Sequence, residues 1–239
     1  MTGWNTRAAE LSANLQALRA RIAAACAAAG RPADSVTLIA ITKTFPASDV
    51  RLLAGLGVAD VGENKDQEAA QKAAECADVE PPLRWHFVGQ LQVNKAKSVV
   101  RYADVVHSVD RSRLVGALGS RARAAGRVIT CLIQVDLDPH PDPERGGASA
   151  AEVPALAAEI AGTSGLLLGG VMAIAPLGAP PRPAFRRLAE VAGLVRAAYP
   201  AATMISAGMT GDLEEAIAEG ATHVRVGTAL LGSRQALVR

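Results

Sequence analysis

The feature that most restricts the architecture of this chain is a regular alternation. Short β-branched apolar runs are separated by alanine-rich stretches with helical spacing. The runs fall at 36–42, 58–62, 83–88, 105–109, 128–136, 166–174, 203–206 and 223–227, each followed by a helix-compatible segment. Strands joined by helices pair in parallel through right-handed crossovers, and eight such units close on themselves as a barrel. An open doubly wound sheet is the alternative. It ordinarily carries a glycine fingerprint after its first strand, whereas here the first run leads directly into Thr42-Lys43-Thr44-Phe45-Pro46. Ahead of the first run, Leu11, Leu15, Leu18, Ile22 and Cys26 form one apolar helical stripe that ends at Gly30 and Arg31-Pro32. The pattern predicts an α/β fold: a single (β/α)8 TIM barrel with an extra N-terminal helix, occupying 1–239 as one domain.

Composition narrows the function classes. A net charge of +2, with no run of like charge, argues against a nucleic-acid binder or a membrane-surface helix. Cys26, Cys76 and Cys131 lie far apart without metal-type spacing, which points to a reducing compartment and to no metal site. No leader segment and no bilayer-length apolar run is legible, so the expected location is the cytoplasm. Two proline-rich stretches, 138–147 and 176–183, follow strands. They are read as long loops on the carboxyl face, either binding segments or plain surface connections.

In such a barrel the residues at the carboxyl ends of the strands converge on one mouth. Here they include Lys43, Glu63, Asn64, His86, Ser108, Asp110, Asp136, Met172, Ser206, Arg225, Gly227 and Thr228. Lys43 closes the first apolar run. Lysine is scarce in this chain and arginine serves most cationic positions, so the choice of lysine here suits imine chemistry, which an arginine cannot perform. The competing reading is a rim lysine paired with Glu63 or Asp136. Late in the chain, Ser206-Ala207-Gly208-Met209-Thr210-Gly211 and Val226-Gly227-Thr228-Ala229 follow the seventh and eighth strands, where barrels often hold a phosphate. Ordinary capping by Asp212 and Glu215 of a helix at 213–219 is the competing reading there. A reactive amine facing a phosphate cradle fits an aldehyde that bears a phosphate, either pyridoxal 5'-phosphate or the phosphorylated sugars of lysine aldolases. Strand alternation puts His223 and Arg225 on one face, from which Arg225 reaches a sugar phosphate or a pyridine nitrogen; a rim salt bridge is equally compatible with the spacing.

Several stretches then resemble a known family in the correct order: Ile41-Thr42-Lys43-Thr44, Val61-Gly62-Glu63-Asn64, Trp85-His86-Phe87-Val88-Gly89-Gln90-Leu91-Gln92, His107-Ser108-Val109-Asp110-Arg111, Gly170-Val171-Met172-Ala173-Ile174, Ser206-Ala207-Gly208-Met209 and Val224-Arg225-Val226-Gly227-Thr228. They are similar to the pyridoxal phosphate homeostasis proteins, the YggS/PROSC group, related to the barrel domain of alanine racemase. The resemblance covers nearly all of the chain from Leu11 onward. It implies pyridoxal 5'-phosphate as cofactor, with Lys43 as the lysine that holds it as an internal aldimine. It also implies phosphate binding at Ser206, Gly227 and Thr228, a cofactor-binding position at Gly208, a contact from Arg225 to the pyridine nitrogen, and Asn64, His86 and Met172 lining the mouth. Ala207 departs from the methionine of many relatives, and Glu144-Arg145-Gly146-Gly147 departs from a basic-small-glycine pattern, so the latter receives no binding role.

A ring nitrogen facing an arginine stays unprotonated, which weakens the ring as an electron sink. Racemisation then needs an acid/base group on each face of the substrate. The tyrosine that alanine racemase draws through its second domain has no counterpart here; Tyr102 and Tyr199 fall on the wrong side of the barrel. The expected function is therefore a carrier and buffer in vitamin B6 homeostasis, a monomer without strong catalysis that passes cofactor to apo pyridoxal phosphate enzymes. The rivals are a weak racemase, or other fold-type III enzyme, and a regulatory scaffold docking through the two loops.

Overall fold

The computed structural model describes residues 2–138 and 146–232. Eight strands alternate with helices: β1 (Thr37–Ile41), α2 (Ala47–Gly55), β2 (Asp60–Glu63), α3 (Asp66–Glu75), β3 (Arg84–Phe87), α4 (Ala96–Tyr102), β4 (Val105–Val109), α5 (Ser112–Ala124), β5 (Ile129–Gln134), α6 (Val153–Gly162), β6 (Leu166–Met172), α7 (Pro181–Ala198), β7 (Met204–Ser206), α8 (Leu213–Ala218), β8 (His223–Val226) and α9 (Thr228–Leu231), with α1 (Thr2–Ala28) in front. The strands form a closed barrel in sequence order, and β8 returns to β1 in parallel through Ile39 opposite Arg225 and Ala40 opposite Val226. The expected α/β barrel is the one observed.

The extra helix has a physical reason. The outer faces of β1 and β8 must be covered, and α9 is only four residues long. Leu11, Leu15, Leu18, Ile22 and Cys26 of α1 therefore share one buried cluster with Ala40, Val224, Val226, Leu213, Ile217, Leu230 and Leu231. Asn14 Nδ2 donates to the Leu230 carbonyl at 3.0 Å, and Arg21 Nη2 to Glu214 at 2.7 Å, which ties α1 across α8 and α9.

Most strands are one to three residues shorter than the apolar runs that announce them, and β4 keeps the bounds of its run. The sheet register slips between Cys131 and Leu132, opposite Gly170, which has φ +143°. A Cβ at Gly170 would lie 2.0 Å from the Met204 carbonyl, so only glycine fits this irregularity. The expected loop at 176–183 ends earlier, because α7 begins at Pro181 and takes its prolines into the first turn, where a missing N–H costs nothing. Of the other expected loop, residues 139–145 lie outside the described residues, Glu144 and Arg145 among them. All three cysteines are free and buried. Among the described residues no helix is long and apolar enough to cross a membrane.

Candidate functional site

Lys43 sits on a tight turn just past β1, where Phe45 N donates to the Thr42 carbonyl at 3.1 Å. Its neighbour Thr44 has φ +70°, a left-handed conformation that is strained for a β-branched residue. The turn is held from outside the sheet by α3. Lys72 Nζ donates to the Thr42 carbonyl at 2.8 Å, and Thr44 N donates to the Glu68 carboxylate. Lys72 also pairs with Glu63 at 2.5 Å and with Glu68 at 3.0 Å, while the Thr42 hydroxyl donates to Glu63 Oε1 at 2.6 Å. Burial pushes the Glu63 carboxyl above its ordinary range, against the opposing pull of Lys72 and Thr42. A rim pairing of Lys43 with Glu63 or Asp136 is therefore not what forms. Glu63 faces α3 and takes Lys72, and Asp136 accepts from the amide of Asp138 at 2.9 Å. Lys43 is half-buried, and its amine has no hydrogen bond or ion pair among the described residues.

Arg225 lies on the inner face of β8 and is 5% exposed. Its Nη1 donates to the carbonyl and the hydroxyl of Ser206 at 2.8 and 2.7 Å, and its Nη2 to the Ala173 carbonyl at 2.9 Å. No carboxylate of the described residues is within ion-pair distance, and burial lowers the guanidinium to about 10. The Ser206 hydroxyl also meets His107 Nδ1 at 3.0 Å, His107 Nε2 meets His86 Nδ1 at 2.8 Å, and His86 Nε2 meets Asp60 Oδ1 at 2.8 Å. This chain of contacts corrects three expectations. The Ser206 side chain is turned into the barrel and engaged there. His86 does not line the mouth, because the strand ladder continues above it, with Val88 N still bonded to the Glu63 carbonyl at 2.9 Å. Met172 likewise packs inside, with Val105, Leu132 and Met204.

The two glycine turns stand side by side at the carboxyl end of the barrel. Ala229 N approaches Thr210 Oγ1 at 3.4 Å, and Arg225 N donates to the Gly208 carbonyl at 2.9 Å. Gly208 has φ +89°, and a Cβ there would lie 2.7 Å from that of Ala216. A Cβ at Gly227 would meet the Ile41 carbonyl at 3.2 Å, which places this turn against the strand end that carries Lys43. Among the described residues the amides of Gly208, Gly227 and Thr228 have no protein acceptor, and Thr228 is exposed. The expected capping box does not form. Asp212 Oδ1 accepts from Met209 N at 2.6 Å and closes the preceding turn instead. Asn64 is exposed at the end of β2, where Gly89 packs so close that a Cβ would lie 2.1 Å from the Asn64 carbonyl.

Sequence reasoning missed His107, Asp60 and Lys72. His107 alternates with Val105 on β4, a parity that puts it inside, and Lys72 is spaced three from Ala69 on the buried face of α3. Tyr102 ends α4, yet its hydroxyl donates to Asp66 at 3.4 Å and burial raises its pKa, so the phenol stays protonated in the helix layer.

Three interior imidazoles are held neutral by burial: His107 well below its ordinary value, His86 below it, and His223 pushed down to about 4. The unfolded chain binds these protons more readily than the folded one. Stability is therefore full above about pH 6.5 and is lost as pH falls toward 4, with His223 alone worth roughly 3 kcal/mol. The thermal midpoint should drop by several degrees between pH 7 and pH 5, before most carboxylates titrate; a midpoint that stays level would contradict the buried neutral state.

A closed parallel barrel of this length, with a lysine past β1 and an arginine on β8, defines a class, and comparison agrees. A family model described as alanine racemase, N-terminal domain, matches residues 13–235. The alanine racemase of Corynebacterium glutamicum shares the fold with a TM-score of 0.66 at 15% identity, covering 97% of this chain and 62% of that one. The chain belongs, within that class, to the pyridoxal phosphate homeostasis protein family. The member from Mycobacterium tuberculosis H37Rv is 43% identical over 252 residues, covering 98% of this chain and 97% of its own. PipY of Synechococcus elongatus PCC7942, solved with PLP bound, is 35% identical with a TM-score of 0.79, covering 93% of this chain and all of that one, 100%.

Proposed function

We propose that the protein binds pyridoxal 5'-phosphate at the carboxyl mouth of its barrel and serves vitamin B6 homeostasis as a reversible carrier. The observation that carries this reading is a pair of cationic side chains on adjacent strand ends with no carboxylate partner among the described residues. Among the described residues Lys43 has no hydrogen bond or ion pair, and Arg225 is buried without a carboxylate partner. A buried guanidinium held by neutral acceptors alone favours a further acceptor supplied by a ligand. The amides of Gly208, Gly227 and Thr228 add donors suited to a phosphate, and the residues present fit the group. Its aldehyde, when bound, supplies an electrophile for a primary amine.

The residues of the chain divide the work. Lys43 presents its amine on a turn that Lys72 and Glu68 clamp. Arg225 keeps N–H donors for the pyridine nitrogen and, as a poor acid, leaves that nitrogen unprotonated. The amides of Gly227 and Thr228 with the Thr228 hydroxyl, together with the Gly208 amide, hold the phosphate; the Ser206 hydroxyl supports Arg225 rather than the anion. Asn64 borders the ring side of the mouth. His86 and His107 are committed to each other inside the barrel, which favours holding over turnover. Free buried thiols favour the cytoplasm, and we read the protein as a monomer that releases cofactor to apo-enzymes.

Titration with pyridoxal 5'-phosphate should generate a new absorbance band. Borohydride should trap it, and peptide mapping should place the pyridoxyl group on Lys43. Amino acids incubated with the loaded protein in deuterium oxide should exchange their α-hydrogen slowly. Rapid exchange would reassign the protein to the racemases, and a protein that takes up no cofactor would end the reading.

A further inference from the structure

The interior contacts from Asp60 to Arg225 form one hydrogen-bonded line, and its direction can be worked out. Asp60 is 16% exposed on its side chain and borders a cleft of about 480 Å³ at the amino end of the barrel, lined by Arg19, Ile22, Thr37, Gly57 and Val58. An aspartate in contact with water offers acceptors only, so the proton between it and His86 belongs to His86 Nε2. Both imidazoles are neutral, and each carries one N–H. His86 Nδ1 must then accept, which assigns the next proton to His107 Nε2. His107 Nδ1 must accept in turn, and among the described residues the hydrogen available to it is that of the Ser206 hydroxyl. The Ser206 oxygen is left with lone pairs alone, and one of them receives Arg225 Nη1 at 2.7 Å. All four hydrogen bonds point from Arg225 toward Asp60.

We propose that His107 is the positioning residue for Arg225. By taking the Ser206 proton it obliges Ser206 to present only acceptor capacity to the guanidinium, and the charge of Asp60 polarises the line from the far end of the barrel. Without His107 the hydroxyl is free to turn its proton toward Arg225, which disrupts the grip that aims the remaining N–H donors at the mouth. Among the described residues Arg225 has no carboxylate within ion-pair distance, so this line takes the place of a counter-ion. The inference rests on the reading that Arg225 meets the pyridine ring, yet its first test needs no cofactor.

In the full-length protein, labelled with ¹⁵N and free of cofactor, long-range proton–nitrogen correlation should show His86 and His107 each protonated on Nε2. A proton on His107 Nδ1 reverses the line and overturns the proposal. Glutamine can accept from Ser206 and donate to His86 across the same span. His107→Gln should therefore retain the wild-type absorbance band and affinity for pyridoxal 5'-phosphate, whereas His107→Leu should displace the band and weaken binding roughly tenfold, the worth of one hydrogen bond to a charged group. A folded His107→Leu protein with unchanged band and affinity also overturns it. If the leucine variant does not fold, the tautomers of the wild type still decide. Absence of a trapped adduct on Lys43 in the wild type would defeat the cofactor reading and leave the hydrogen-bond direction to be judged on its own.

Discussion

Replacing Lys43 with alanine should abolish the borohydride-trapped adduct entirely while leaving the fold intact. The argument is one of availability. Lys72 is buried and tied to Glu63, Glu68 and the Thr42 carbonyl, Lys95 lies 4.0 Å from Asp66, and Lys43 stands beside the turn at Gly227 with no partner for its amine among the described residues. A primary amine that can give up its proton is the one side chain on this rim able to attack an aldehyde, so arginine at the same place should fail as completely as alanine. Because Lys43 has no partner to lose, either variant should keep its thermal midpoint within about 2 °C of the parent. Mass spectrometry of the reduced, digested protein reads the first quantity and a melting curve the second. An adduct that persists in the alanine variant, or that maps to Lys65, Lys95 or Lys97, would remove Lys43 from the mechanism.

Lys72→Met should be the most destabilising single change at the site, costing about 3–5 kcal/mol, because it strands the buried Glu63 carboxylate without its cation. Glu63 Oε2 already has no hydrogen-bond partner, so no second contact compensates. The accompanying Glu63→Gln change should recover most of the loss. The pH dependence has a definite sign. Glu63 is held above the ordinary carboxylate range in the folded protein, so the folded state binds this proton more tightly than the unfolded one. Stability arising from the protonated form is complete below the unfolded value near 4.5 and disappears as pH rises through the folded one. The deficit of Lys72→Met relative to the parent should therefore narrow between pH 7 and pH 5, as measured by urea unfolding. A deficit that widens on acidification would mean that the variant fails for another reason. The same substitution also removes the donor to the Thr42 carbonyl and loosens the turn that presents Lys43.

Particular elements show how far a one-dimensional reading reaches. The run at 105–109 is all apolar or small except for His107, and it forms β4 with those bounds. The run at 166–174 overshoots β6 by two residues, because nothing local marks where the ladder ends. Lys43 was legible as a lysine at a strand end in a chain that prefers arginine. Ser206 was legible as a small polar residue near a glycine turn, but its hydroxyl faces the barrel interior, and only the stagger of β7 against β8 puts it beside Arg225. Lys72 carries no mark in the sequence that singles it out, and only the packing of α3 turns it toward Glu63.

By itself the sequence determined the repeat of strand and helix, the presence of a leading amphipathic helix, and the reactive type of side chain at the first strand end. These follow from local periodicity and from residue chemistry, which do not depend on distant neighbours. Tertiary structure alone decided which cation Glu63 captures, where the Ser206 proton goes, and that Arg225 meets neutral acceptors rather than a carboxylate among the described residues. Each of those outcomes depends on groups 9 to 99 residues apart in the chain, brought within about 3 Å only when strand shear and helix packing set which faces meet.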